Sequence, residues 1–434
     1  MGRAFLHLQV NGADMDKPAS NSELGPGSGR QPTTVSLWDE ALGAGSLFYF
    51  LTSVIAVFGV VIGHQFVIPA DTGQARQGDL LSAFAAWDGQ WYSRIVMEGY
   101  TYDRTRMSSV VFFPGYPVFG QVVVRLTGWS PERALLIVSH LSLAAAFVLM
   151  AAYARRRFPQ SPRQVTGYVL LSMGLLPTTF FFRMAYSESL FLALALLAMY
   201  GMERRWPLLV VALVVGLATA ARPVGVALLA PLLLHVWHRS ATLQGFVLRF
   251  VCLVPIGCWG LGGYVLYQHR AFGEPLAFVQ AERHWRMRPA VPLAEKLAGL
   301  GTFEPIECVF DRSSPGFWGR RAPRGNPWFN LQIANPIFFV LASVLLAVGG
   351  WQRWLSPCEL AFGASALLIP YVTKGYEMCM GGMGRYAAVA FPIYLVLGQL
   401  LGCMPAPVAA GVLAVSGFLM GAYAALFAAG YFFI

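Results

Sequence analysis

From position 47 onward the chain is a succession of apolar runs separated by short polar stretches. The first run, 47–68, contains no Asp, Glu, Lys or Arg, and it has the length of about 20 residues that a helix needs to cross a hydrocarbon layer. Further runs follow at 132–153, 166–183, 187–202, 207–221, 223–237, 247–267, 335–350, 357–372, 386–403 and 406–432. No alternation of period two accompanies them, so the pattern predicts helices, about eleven crossing the bilayer, each satisfying its own backbone. The expected fold class is therefore an all-α polytopic membrane protein. The shorter apolar stretch 118–126 is read as an interfacial amphipathic helix inside one loop, 70–130, and not as a crossing. Positions 1–45 include KPASNSELGPGSGRQPTT, polar and rich in Gly, Pro and Ser, which predicts a disordered tail ahead of a membrane domain over 46–434. The run 47–68 is too long for the apolar region of a signal peptide and reads as the first span.

Composition agrees. The 434 residues are 56% hydrophobic and 12% charged, too little charge to coat a water-soluble globule of that length, and the mean hydropathy is +0.56. The net charge of +10 would suit nucleic acid if it were clustered, but Lys and Arg sit at the ends of apolar runs, where they meet anionic lipid. Nucleic acid is excluded as a partner on that ground. Arg155, Arg156, Arg157 and Arg163, then Arg204 and Arg205, then Arg239 and Arg249, then Arg353 fall on one side if 118–126 does not cross. The positive-inside rule makes that side cytoplasmic. The polar stretches at about 70–130, 183–188, 221–223, 269–334 and 373–385 then face the extracytoplasmic side, where the chemistry is expected. The six cysteines (252, 258, 308, 358, 379 and 403) show no CxxC spacing and indicate neither a zinc site nor a disulfide framework. Cys308 and Cys379 are the pair that can meet outside the membrane, and spacing leaves their pairing open. Histidines at HxxxH spacing are missing, as are GxxxxGK[ST], HExxH, GxSxG and a GxGxxG behind a strand. This disfavours metal, ATP and soluble nucleotide-sugar chemistry.

The candidate chemistry begins at AWDGQWY, 86–92, where Asp88 stands between Trp87 and Trp91. A single carboxylate there suits a general base, with Trp87, Gln90 and Trp91 touching substrate. It equally suits a helix cap flanked by membrane-anchoring tryptophans. Glu98 and Asp103 are weaker competitors. FFPGYP, 112–117, either shapes a lipid groove or simply starts a bent helix. Arg183 and Glu188 flank Tyr186 and Ser187 where one run ends and the next begins, and they read as a sugar-phosphate clamp or a structural ion pair. Arg222 interrupts a long apolar stretch beside Pro223, and Arg385 follows a glycine-rich loop. Each is a candidate phosphate ligand or a snorkelling loop arginine. Arg283, His284, Trp285, Arg286 and Arg288 form a basic and aromatic cluster for a lipid-linked phosphate and its sugar, or for lipid headgroups.

Taken together, WDGQWY, FFPGYP, YSESLF at 186–191, ATAARPVG at 218–225, GEPLAFVQAERHW at 273–285 and GRYAAVAFPIYL at 384–395 resemble the PIG-V type mannosyltransferases and their bacterial relatives, membrane glycosyltransferases of the GT-C architecture. The resemblance covers about 80–400. It implies a large first extracytoplasmic loop with an acidic residue acting near the acceptor, a dolichyl- or polyprenyl-phosphate-mannose donor, and chemistry needing no cofactor or metal. In the eukaryotic members the acceptor is the GPI precursor; here a glycolipid or another envelope acceptor is expected. Two readings of other classes stand beside it: a transporter or flippase of lipid-linked sugars, and a membrane subunit supporting another glycosyltransferase. The transporter reading expects repeats and midplane charges, whereas this chain shows no internal repeat and gathers its ionisable residues at one rim.

Overall fold

In the computed structural model, residues 36–69, 79–320 and 330–431 are described, and among them all regular structure is helical. The first helix, Leu37–Phe66, starts earlier than the boundary expected at 45. Asp39 and Glu40 in its first turn complement the positive end of the helix dipole. Gly45 then lets the helix close on the backbone of Val148. The remainder of the expected tail lies outside the described residues. Leu37–Phe66 packs between Pro131–Arg157 and Ala406–Ala428, and Pro131–Arg157 in turn packs on Glu188–Glu203.

Among the described residues four helices are long and apolar enough to cross a membrane: Leu37–Phe66, Pro131–Arg157, Leu331–Trp351 and Ala406–Ala428. Two bent pairs raise that to six if each is one span: Arg163–Leu175 with Pro177–Arg183, bent by 76°, and Leu243–Gly257 with Trp259–Phe272, bent by 53°. The other expected spans are shorter helices, among them Leu208–Ala221, Pro223–His238 and Pro392–Gly402. Proline accounts for much of this difference from about eleven full crossings. Pro177, Pro223 and Pro392 each begin a new helical segment, because the ring removes a backbone donor and clashes with the preceding turn. The stretch 118–126 belongs to Gly115–Thr127, 13 residues, too short to cross.

The two ends of the helical body differ. At one end Glu359, fully buried, caps its own helix through Ser356 and accepts from Arg157 at 2.8 and 3.2 Å and from the Tyr153 hydroxyl at 2.7 Å. Nearby, Arg155 and Arg163 pair with Glu40. At the other end the segments around 79–130, 273–320 and 371–385 fold together. Tyr102 donates to Gln280 at 2.7 Å, and the Tyr371 hydroxyl donates to the Leu300 carbonyl at 2.8 Å.

Candidate functional site

The site starts at a strained turn. Trp87 has φ +59°, a left-handed conformation that is rare for a bulky side chain and costs of order 1–3 kcal/mol. The strain is held by one hydroxyl: Tyr186, buried, donates to the Ala86 carbonyl at 3.0 Å and accepts from the Asp88 amide at 3.2 Å. Asp88 thereby opens the helix Asp88–Glu98, which buries Tyr92, Ile95 and Val96 and leaves Met97 and Glu98 exposed. FFPGYP places the next helix. A Cβ on Gly115 would lie 2.9 Å from backbone atoms of Ala221, so only glycine allows Gly115–Thr127 to seat against the residue before Arg222.

Arg222 links two helical segments in extended backbone. Its guanidinium forms an ion pair with Glu188 and donates to Ser187 Oγ at 3.2 Å. Ser187 Oγ also accepts from the Tyr92 hydroxyl at 2.9 Å. Arg385 Nε stands 3.1 Å from the same Glu188 oxygen, and Arg385 Nη1 donates to Asp88 Oδ2 at 2.6 Å. The result is a chain of alternating charge, Arg222, Glu188, Arg385, Asp88. Its interior member Glu188 is 1% exposed, whereas Asp88 is 25% exposed. Buried charges require such pairing, and the aromatic faces of Tyr186 and Tyr386, 5.5 and 6.0 Å from the Arg385 guanidinium, add cation–π support.

These groups open onto a cavity of about 620 Å³. Of the residues singled out by sequence, Trp87, Asp88, Gln90 and Trp91 line it from the first loop, Arg222 from a helix junction, Arg385 from the short helix Met383–Ala388, and His284, Trp285 and Arg286 from the loop 273–320. Trp91, Trp285 and Phe112 form one aromatic wall, with Trp91 and Trp285 edge to face at 5.5 Å. Cationic Arg94, Arg222, Arg286, Lys374 and Arg385 outnumber the lining carboxylates Asp88 and Glu282, which gives the cavity a preference for anions.

Arg183, expected in the site, lies outside the cavity wall. It is fully buried in the helical body and donates to Thr52 Oγ1 at 2.7 Å, Ser53 Oγ at 3.3 Å and the Thr179 carbonyl at 3.2 Å. It is directed there because it ends a tight turn, Pro177–Arg183, that packs mainly on the last helix. Glu188 sits behind the lining residues and acts on the cavity through its two arginines. Asp103 lies off the wall, where the Thr105 amide and hydroxyl hold its carboxyl below the usual carboxylate range. Arg283 bonds the Arg104 carbonyl, and Arg288 is spent on Glu304 at 2.6 and 2.7 Å.

Four residues of the site carried no reading in the sequence: Tyr186, Tyr386, Glu282 and Lys374. Lys374 pairs with Glu282 at 2.7 Å on the cavity wall, and its ammonium lies 5.8 Å from the Tyr386 ring. Its signal was present, since it ends an apolar run much as Arg222 does. Among the described residues no three His, Cys, Asp or Glu side chains cluster as metal ligands would.

No curated protein matches the chain. Residues 67–242, which contain Asp88, Arg183, Glu188 and Arg222, match the family model described as Mannosyltransferase (PIG-V), so this segment is similar to that family.

Proposed function

We propose that the protein transfers mannose from polyprenyl- or dolichyl-phosphate mannose to a hydroxyl of a glycolipid or other envelope acceptor, at the extracytoplasmic face of the cell membrane, within a GT-C type arrangement of spans. The observation that carries this reading is the meeting of one partly exposed carboxylate, Asp88, with two arginines, Arg222 and Arg385, in a cavity walled by tryptophan. Asp88 takes the proton of the acceptor hydroxyl as its oxygen attacks the anomeric carbon. The bond from that carbon to the phosphate oxygen breaks, and the lipid phosphate leaves as an anion that needs no proton from the enzyme. Arg385 and Arg222 supply forked donors for the phosphate, with Lys374 and Arg286 in reserve on the cavity wall. Glu188 keeps both guanidiniums oriented. Trp91 and Trp285 offer an apolar face to a sugar ring, and Met107, Val111 and Phe113 line the cavity for the first isoprene units. The arginine-rich opposite end supports the outward orientation of this one.

The test is transfer of radiolabelled mannose from polyprenyl-phosphate mannose into membrane extract by purified protein, beside Asp88→Asn. Loss of a proton acceptor at this step costs about 10²–10⁴-fold. Full activity in Asp88→Asn would remove it from the reaction. Vesicle flux of the lipid-linked sugar without any transfer product would favour the flippase reading instead.

A further inference from the structure

We propose that Cys308 and Cys379 are joined by a disulfide in the protein as it is made, a covalent clasp at the rim of the cavity. Cys308 lies on the short helix Glu304–Phe310, and Cys379 lies 71 positions later in the turn that leads to Arg385. Both are buried, and their sulfurs are 2.8 Å apart, with Ser314 Oγ 2.7 Å from the first. The surroundings are shaped around the pair. A Cβ on Gly316 would stand 2.7 and 2.9 Å from the two sulfurs, so glycine is what lets the 314–316 turn close over them. The four other cysteines are exposed or only half-buried in helical segments or at their ends.

The seam they would join already exists as polar contacts. Lys296 pairs with Glu377 at 2.8 Å, Arg288 donates to the Tyr376 carbonyl at 2.5 Å, and the Met287 amide donates to the Glu377 carbonyl at 2.9 Å. On the Cys379 side the backbone is strained, with φ +46° at Cys379 and +63° at Met380, and strain of that kind persists only where the surroundings over-determine it. The same turn gives Met378, Gly381 and Gly382 to the cavity wall. A crosslink there fixes the loop 273–320 to the segment that carries Arg385.

The chemistry balances by thiol–disulfide exchange. The contact with Cys379, then the hydrogen bond with Ser314, holds the Cys308 thiol below its usual range, and in the proposed exchange Cys308 is the thiol that attacks first. It displaces one thiol from a disulfide oxidant, and Cys379 displaces the second. The pair loses two protons and two electrons, and the oxidant leaves as two thiols. Disulfides persist in oxidising compartments, so the proposal rests on the outward orientation given above.

The experiment extracts the full-length protein from membranes in N-ethylmaleimide and digests it without reduction for mass spectrometry. The expected result is a linked pair of Cys308 and Cys379 peptides free of maleimide, and a fall in Tm of about 5 °C when the intact protein is reduced. Maleimide on both cysteines would overturn the proposal. Treating reduced, purified protein with glutathione disulfide then assigns that failure: a linkage formed in solution blames the orientation, and none blames the geometry. Because the readout is a mass and a melting temperature, it is independent of whether mannose is transferred.

Discussion

A single phenol governs where the carboxylate of AWDGQWY points. Tyr186 bridges the carbonyl before Trp87 and the amide after it, so Tyr186→Phe should leave a buried donor or acceptor unmatched at a cost of about 1–3 kcal/mol. Since that cost falls on the position of Asp88, kcat for mannosyl transfer is expected to drop roughly 5- to 100-fold with KM for the donor little changed. An unaltered kcat would show that the turn holds its shape without the hydroxyl. Glu188 offers a contrasting case, because it touches no cavity space yet balances two guanidiniums. Glu188→Gln leaves those charges buried beside a neutral amide and should destabilise the fold by about 3–5 kcal/mol, measurable as a lowered Tm in detergent. Asp88, Arg222 and Arg385 were legible in the sequence because a charge inside a greasy stretch is costly and demands a reason. Tyr186 and Tyr386 were not, because a tyrosine in a chain that is 14% aromatic carries no mark of its hydroxyl's partner.

Among the elements, helices were readable as apolar runs, and their breaks as prolines and charged residues. What run length did not reveal is which runs cross the body whole and which stop short or bend, since that depends on packing at Pro177 and at the junction of Gly257 with Trp259. The same ambiguity misplaced Arg183. It and Arg222 look alike in sequence, each ending an apolar run, yet the turn Pro177–Arg183 buries one against Leu37–Phe66 while the break at Pro223 aims the other at the cavity. Arg183→Met should therefore lower Tm and leave donor KM within about twofold, whereas Arg222→Met should raise donor KM at least about tenfold through loss of a charge-assisted contact. Equal effects of the two on KM would contradict the placement. Gly115 belongs to this scale as well. In Gly115→Val the added side chain meets the backbone of Ala221, which cannot rotate away, so Gly115–Thr127 must shift at a cost of about 1–3 kcal/mol. Both a lowered Tm and a slower transfer are expected, because the displaced backbone leads directly into Arg222.

For the molecule as a whole, orientation is the property on which the rest depends. Ser313 and Arg353 are both exposed and belong to opposite ends of the helical body. With the native cysteines replaced by serine, Ser313→Cys is expected to react with a membrane-impermeant maleimide on intact cells, and Arg353→Cys only after the membrane is broken; the reverse pattern would invert the topology. The scatter of arginines predicts which end faces outward, but the architecture of the cavity end was not legible, since three loops far apart in sequence assemble it and their contacts follow no spacing rule. One contact in that assembly bears on the order of events in a catalytic cycle. Arg385 grips Asp88 at 2.6 Å, so if Asp88 is the base proposed above, an arriving acceptor alcohol would find it already engaged. A donor phosphate competing for Arg385 would release the carboxylate, making donor entry the precondition for acceptor activation. Steady-state kinetics would then show a compulsory sequence with the lipid phosphate departing last: that product inhibits competitively against donor and non-competitively against acceptor.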